Sequence, residues 1–516
     1  MHLHRKMSRL SGKIILLPLI FLAGITFIPA QTTLTVNGLN QTSFVYRAAS
    51  DSLNCYFYDS FAFNLGYKDF SFGMKFIADL PKYSIEQSEL LADLNPDRLN
   101  LGWKELYASY NRNNYQVYAG IMEETFGSGL IFRSYQDLEM DDDYRVNGFR
   151  FSYDNKLRVK ALYSAYSNPI NRGKLDLAYG ADLQYPVLKP LTLGVTALSL
   201  QSYIGSSYKE DNILGGRVSF QEDWIDGSIE LAQRQKAYSN DNGSAIYGNL
   251  STYFGPLQIG GAYKYYDGFD YFNHLQDIPL ANHHNETLAD NQSSGLDEEG
   301  LQGWMSFAFK WCADVLICTN LKYWTFNLDY AEAWNHNHKV KMNDFFVSLD
   351  WNKDLKMASI SYSQVEKIDE ILSHWQKESY PGFNLQFPGK KNPFTLSGEF
   401  KVVEKQVYDV ETSHYEPKIQ FDTSFNKLSC SLALQSWWKD FSHLTQSRYM
   451  PSVQVKYPLF SETDILLLVG KEAGGKVCRN GICRYVAPFS GIKLEMTTRL
   501  WCADVLICTK QYNLFK

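Results

Sequence analysis

The stretch Tyr323-Trp324-Thr325-Phe326-Asn327-Leu328-Asp329-Tyr330-Ala331 decides the fold. Side chains along a β-strand alternate between two faces. Trp324, Phe326, Leu328 and Tyr330 therefore share one face, and Thr325, Asn327, Asp329 and Ala331 share the other. One face is oily, the other wet. The same period recurs in both directions along the chain. Phe61, Phe63, Leu65 and Tyr67 oppose Ala62, Asn64 and Gly66. After a short turn at Lys68-Asp69, Phe70, Phe72, Met74 and Phe76 oppose Ser71, Gly73 and Lys75, the pattern of a hairpin. Leu157, Val159, Ala161 and Tyr163 oppose Arg158, Lys160 and Ser164, and the run from Leu175 to Tyr185 opposes its odd-numbered apolar residues to Asp176, Gly180, Asp182 and Gln184. Phe345 to Trp351, Leu428 to Leu434 and Ile492 to Leu500 repeat the scheme. A slip of one residue would carry charges onto the oily face, so each register is strongly specified.

One buried face per strand also suits a soluble sandwich or a solenoid. Three features select a membrane barrel instead. First, Met1 to about Ala30 reads as a secretory signal. Arg5, Lys6, Arg9 and Lys13 open it, Ile14 to Phe27 form the apolar stretch, and Ile28-Pro29-Ala30 offers a small residue before a cut. Pro18 and Gly24 interrupt the stretch and argue against a retained anchor, and no Cys follows it to carry a lipid. Second, the alternation runs from Phe61 to Leu500 without a Pro/Ser-rich linker or a shift in composition. Third, the oily faces are bulky: 35 Tyr and 32 Phe bring the aromatic content to 15%, a supply suited to girdles at two membrane interfaces.

The expectation is an all-β chain: a transmembrane antiparallel up-and-down β-barrel of a bacterial outer membrane, oily faces to lipid and wet faces to a lumen. A membrane strand takes roughly 9–11 residues plus a turn, so the roughly 486 residues left after cleavage supply roughly 16–20 strands. Three segments follow: a signal at 1–30, a barrel at 31–500 and an extension at 501–516. The formal charge is −6, with 50 Lys+Arg against 56 Asp+Glu, and removal of the basic signal makes it more negative. No basic stripe is present, which argues against nucleic acid as a partner. The partners expected are outer-membrane lipid and the barrel assembly machinery.

Several motifs carry a resemblance. Glu124-Thr125-Phe126-Gly127-Ser128-Gly129-Leu130, followed by Ile131-Phe132-Arg133-Ser134-Tyr135, resembles a strand of a group of uncharacterised outer-membrane barrels from Bacteroidota and related Gram-negative lineages. Asn147-Gly148-Phe149-Arg150-Phe151, Asp297-Glu298-Glu299-Gly300 and the stretch from Val477 to Tyr485 resemble further markers of that group. The resemblance covers Gln31 to Leu500. It implies a fold and a location, and no reaction.

The chain departs from that pattern once. Trp311-Cys312-Ala313-Asp314-Val315-Leu316-Ile317-Cys318-Thr319 recurs unchanged from Trp501 to Thr509. A solenoid repeat would recur many times at a fixed period. The four Cys make two C-x5-C units, yet along a strand the two Cys of one unit lie roughly 20 Å apart, too far for one ion. A short repeat inserted in frame accounts for the duplication better than a paired thiol or metal site.

Cys478 and Cys483 flank Arg479-Asn480-Gly481-Ile482. Asn-Gly is the strongest two-residue hairpin signal, and it sets 478 opposite 483 at a non-bonded position. Such partners have Cα atoms near 4.5 Å, within reach of a disulfide, and export supplies an oxidising compartment. Cys55 and Cys430 read as unpaired.

Catalytic motifs are absent: no G-x-S-x-G elbow, no H-E-x-x-H and no phosphate-binding Gly loop. His274, His283 and His284 lie in the polar stretch Asn273 to Gly300, which reads as a solvated loop rather than a metal site. Asp141-Asp142-Asp143 lacks EF-hand spacing and reads as a charged loop. Neither a cofactor nor a metal is expected. Glu124 and Arg133 are candidates for a polar pair in the lumen, and Arg158, Lys160, Asp176 and Asp182 are candidates for setting selectivity there. Three functions stay open: a porin-like barrel that passes or exports a solute, a plugged scaffold barrel whose loops bind a partner, and, last for want of motifs, a membrane-embedded hydrolase.

Overall fold

The computed structural model describes residues 34–48, 55–80, 100–137, 142–168, 174–237, 242–269, 297–311, 322–353, 355–389, 392–479, 482–486 and 488–502. The expected signal at 1–30, the His274–His283–His284 trio and most of both nonapeptide copies lie outside the described residues.

Among the described residues, 24 strands form one antiparallel sheet. Leu34–Arg47, Cys55–Tyr67, Phe70–Leu80, Asn100–Arg112 and Tyr115–Met122 pair in sequence order; Val146–Asp154 follows, and the meander continues to Thr463–Glu472 and Phe489–Cys502. Leu34–Arg47 pairs both with Cys55–Tyr67 and with Phe489–Cys502, so the sheet closes on itself. Closure satisfies every edge, the condition for a sheet in lipid. No helix among the described residues is long and apolar enough to cross a membrane.

The fold class is the one the alternation predicts, but the strand number is 24 rather than 16–20. The excess has a plain cause in the connections. On the rim that holds Leu34 and Cys502, strands are joined by two residues at 68–69, 113–114, 223–224, 255–256, 354–355, 426–427 and 461–462. Lys68, Asn113 and Asn426 adopt φ of 53°, 52° and 56° there, the left-handed backbone that tight hairpin turns require. Fewer residues go into turns than the count assumed. The opposite rim carries longer excursions, among them 81–99, 123–145 and 268–296.

The two faces fall as the sequence reads. Tyr163, Leu175, Leu183, Leu432, Leu434, Ile492 and Leu494 are exposed on the outside, while Ser164, Asp176 and Asp182 are buried inside. Exposed apolar area on this scale would be a liability in water and is the normal surface of a barrel in lipid.

The closing strand, expected at Ile492 to Leu500, extends over Phe489–Cys502; Trp501 and Cys502 still pair with Asn37 and Val36. Trp311 ends its own strand at the same rim, paired with Lys322. Both nonapeptide copies thus begin where a strand reaches the short-turn rim. On the other rim Gly475–Arg479 and Ile482–Val486 form a separate hairpin with Cys478 opposite Cys483 and Arg479 opposite Ile482, the register expected of them. The side chains of this hairpin lie outside the described residues. Cys55 and Cys430 are free.

Candidate lumenal site

Between Tyr115–Met122 and Val146–Asp154 the chain makes no tight turn. Residues 123–137 fold back into the lumen instead. Glu124–Phe126 and Phe132–Ser134 pair as a short ladder, with Thr125 opposite Arg133. The turn between them uses Gly127 at φ 60° and Gly129 at φ 95°, and the Gly129 amide donates to the Phe126 carbonyl at 2.9 Å. A residue with a side chain would be strained at either position. The stretch read from sequence as a barrel strand is therefore an inward hairpin, because two left-handed glycines reverse the chain within it.

Packing holds the hairpin down. Phe126, Leu130, Ile131 and Phe132 are fully buried against Leu162, Leu198, Leu200, Ile213 and Tyr266 of the barrel's inner wall. At about 1.5–3 kcal/mol per large apolar side chain, the four supply at most about 6–12 kcal/mol before the ordering cost of the loop.

Charge fixes its position. The Ser128 amide and hydroxyl both donate to Glu230, at 2.9 and 2.7 Å. Arg217 donates to both oxygens of Asp182 at 3.0 Å and reaches Glu230 at 3.5 Å, while Thr196 donates to Asp182 at 2.5 Å. Glu230 is the middle residue of Ile225–Gln235, so the hairpin tip reaches half-way down the barrel. At the base, Glu124 receives Lys160 at 2.7 Å and lies 3.3 Å from Arg150. Arg145, at the foot of the excursion, donates to Asp143 at 2.7 Å and Glu105 at 3.0 Å; those partners outweigh partial burial and hold it protonated beyond the usual guanidinium range. Each of these buried charges has a partner, as charges removed from water require.

Under the tip lies a cavity of about 350 Å³ lined by Gly127, Ser128, Gln184, Arg217, Ser219, Ser228, Tyr247 and Asn249. Ser228 donates to Asn249 at 3.0 Å, and Asn249 donates to the Tyr247 hydroxyl at 3.3 Å. Among the described residues no three His, Cys, Asp or Glu side chains converge as a metal site would need.

Of the residues singled out from sequence, Glu124, Lys160 and Asp182 come together around this hairpin. Arg133 does not pair with Glu124. The two alternate to opposite faces of the ladder, and Arg133 lies 4.0 Å from the Tyr135 ring centre. Arg158 stands at the short-turn rim, exposed and 3.2 Å from Asp154. Asp176 is buried near the other rim, where it accepts from Asn168 at 2.9 Å and from the Tyr203 amide at 2.8 Å, a structural pin. Arg217, Glu230, Arg150 and Asn249 were not anticipated, although each stands on the inner face that alternation assigns to it.

The inward hairpin lies within the part of the chain that matches known sequences. Residues 37–291 match a family of unknown function, DUF6029. No curated protein matches the chain. Among solved structures, a chain of the E. coli P pilus tip assembly intermediate PapC-PapD-PapK-PapG aligns over 92% of this chain at 10% identity and a TM-score of 0.54. That likeness is of fold alone, and this chain spans 61% of the other's length. Lesser similarities join it to the siderophore receptor PirA of Pseudomonas aeruginosa (10% identity, 90% of this chain and 80% of that one, TM-score 0.43) and to OpdO of the same organism (9% identity, 91% and 97%, TM-score 0.31). The Asn147-to-Phe151 marker falls inside the family match, whereas the Asp297-to-Gly300 and Val477-to-Tyr485 markers fall outside it.

Proposed function

We propose that the chain resides in an outer membrane, with its short turns and the strand ends at Leu34 and Cys502 toward the periplasm, and passes a solute along a lumen narrowed by the hairpin at 123–137. The short-turn rim supports the orientation, since such barrels keep short turns inside and longer loops outside. One observation carries the passage reading: the core that the hairpin packs into draws, among the described residues, on the strands from Tyr115–Met122 to Leu257–Asp267, nine of the 24. With strands 4.7–4.9 Å apart and tilted by about 40°, a round barrel of 24 strands measures roughly 48 Å across its backbone. A packed β layer occupies roughly 10 Å of that width. Outer-membrane lipid and the assembly machinery remain the partners this reading requires.

Purified protein in a planar bilayer tests it. Steady single-channel conductance is expected, and it should rise when residues 124–134 are replaced by a short Gly/Ser linker. A silent membrane for both proteins would overturn passage and favour the plugged scaffold.

A further inference from the structure

We propose that the cavity beneath the hairpin tip takes an uncharged, hydroxyl-rich solute, a sugar or short oligosaccharide, as it moves through the lumen. The proposal deepens the passage reading and rests on it.

The charges around the cavity are spent on one another. Arg217 lies between Asp182 and Glu230, and Glu230 also accepts both Ser128 donors. Nearby, Lys160 and Arg150 share Glu124, and Arg234 donates to Asp211 at 2.9 and 2.6 Å. An anion entering here would meet one guanidinium already held by two carboxylates. A cation would have to displace Arg217, Thr196 or Ser128 from those carboxylates.

What faces the space otherwise is neutral. Gln184, Ser219, Ser228 and Asn249 present amides and hydroxyls, and Tyr247 adds an aromatic ring with a hydroxyl at its end. Such groups donate and accept with similar ease, which suits a ligand whose own hydroxyls do both. Each neutral hydrogen bond contributes modestly, so residence would be brief, as passage requires. The ring offers an apolar surface to the C–H face of a sugar. A volume of about 350 Å³ lies at the small end of ligand sites, the scale of one or two sugar rings.

The test titrates maltose calorimetrically into the detergent-solubilised full-length protein, with glucose 6-phosphate and glucosamine as charged probes. Maltose should bind saturably, and the charged sugars should bind at least tenfold more weakly. The Gln184→Ala/Asn249→Ala variant should weaken maltose binding about tenfold. No heat from maltose, equal binding of the charged sugars, or a variant indistinguishable from the parent would overturn this proposal while leaving passage standing. A silent planar bilayer would overturn passage itself.

Discussion

Gly127 shows how much one missing side chain decides. Its φ is 60°, and a Cβ built there would stand 2.1 Å from Arg217 and 2.6 Å from both Glu230 oxygens. Gly127→Val should therefore unseat the hairpin tip through backbone strain and displacement of the Arg217–Glu230 pair. The expected cost is about 1–3 kcal/mol, enough to populate the lifted hairpin. Limited trypsin digestion should then cut after Arg133 faster than in the parent; equal cutting would show that the tip does not depend on Gly127. Sequence reading named Lys160 and Asp182 but missed Arg217 and Glu230. Alternation tells which face a residue takes, not which residue stands beside it, and Arg217 faces Glu230 only once the register of two strands is known. A signal was present all the same. Leu198, Leu200 and Ile213 are apolar on the face that should be wet, as if something oily covers them.

Among elements, the strands were legible and the excursions between them were not. The hairpin at Phe61 to Phe76 stands as read, turn included, because a two-residue connection leaves one solution. The Glu124-to-Tyr135 stretch reads as a strand only through its resemblance to one in a group of barrels; its direction depends on contacts with residues up to 140 positions away, such as Tyr266. The hairpin at Gly475–Val486 yields a separate expectation. Cys478 and Cys483 should be joined in the exported protein, on the rim that the proposed orientation turns outward. Mass spectrometry of an unreduced digest should find the linked peptide, and free labelling of both thiols in the unreduced, denatured protein would refute it. Cys478→Ser should change stability little, because the loop closed is short and its entropy small.

For the whole molecule, the β class followed from period, and the barrel only from period taken with the leading apolar stretch, the unbroken length of the pattern and the bulky oily faces, while strand number depended on turn lengths that period does not report. The chain should fractionate with the outer membrane and migrate differently on gels before and after boiling; recovery in soluble periplasm without detergent would contradict it. Removing residues 503–516 should leave the heat-modifiable band, because among the described residues the ladder ends at Trp501 and Cys502. Cutting instead before Phe489 removes the closing strand and leaves Leu34–Arg47 and Thr463–Glu472 as open edges, which should abolish that band through aggregation.

The pairing of Leu34–Arg47 with Phe489–Cys502 also sets a clock. Among the described strands the first to leave the ribosome waits for the last before its second edge is filled, so closure cannot precede delivery of Phe489–Cys502. Contacts of such sequence separation form slowly, and a long-lived unfinished edge invites the wrong neighbour. On the proposed outer-membrane reading, escort through the periplasm follows from this topology, and the rate at which the final strand arrives should limit how fast each barrel matures.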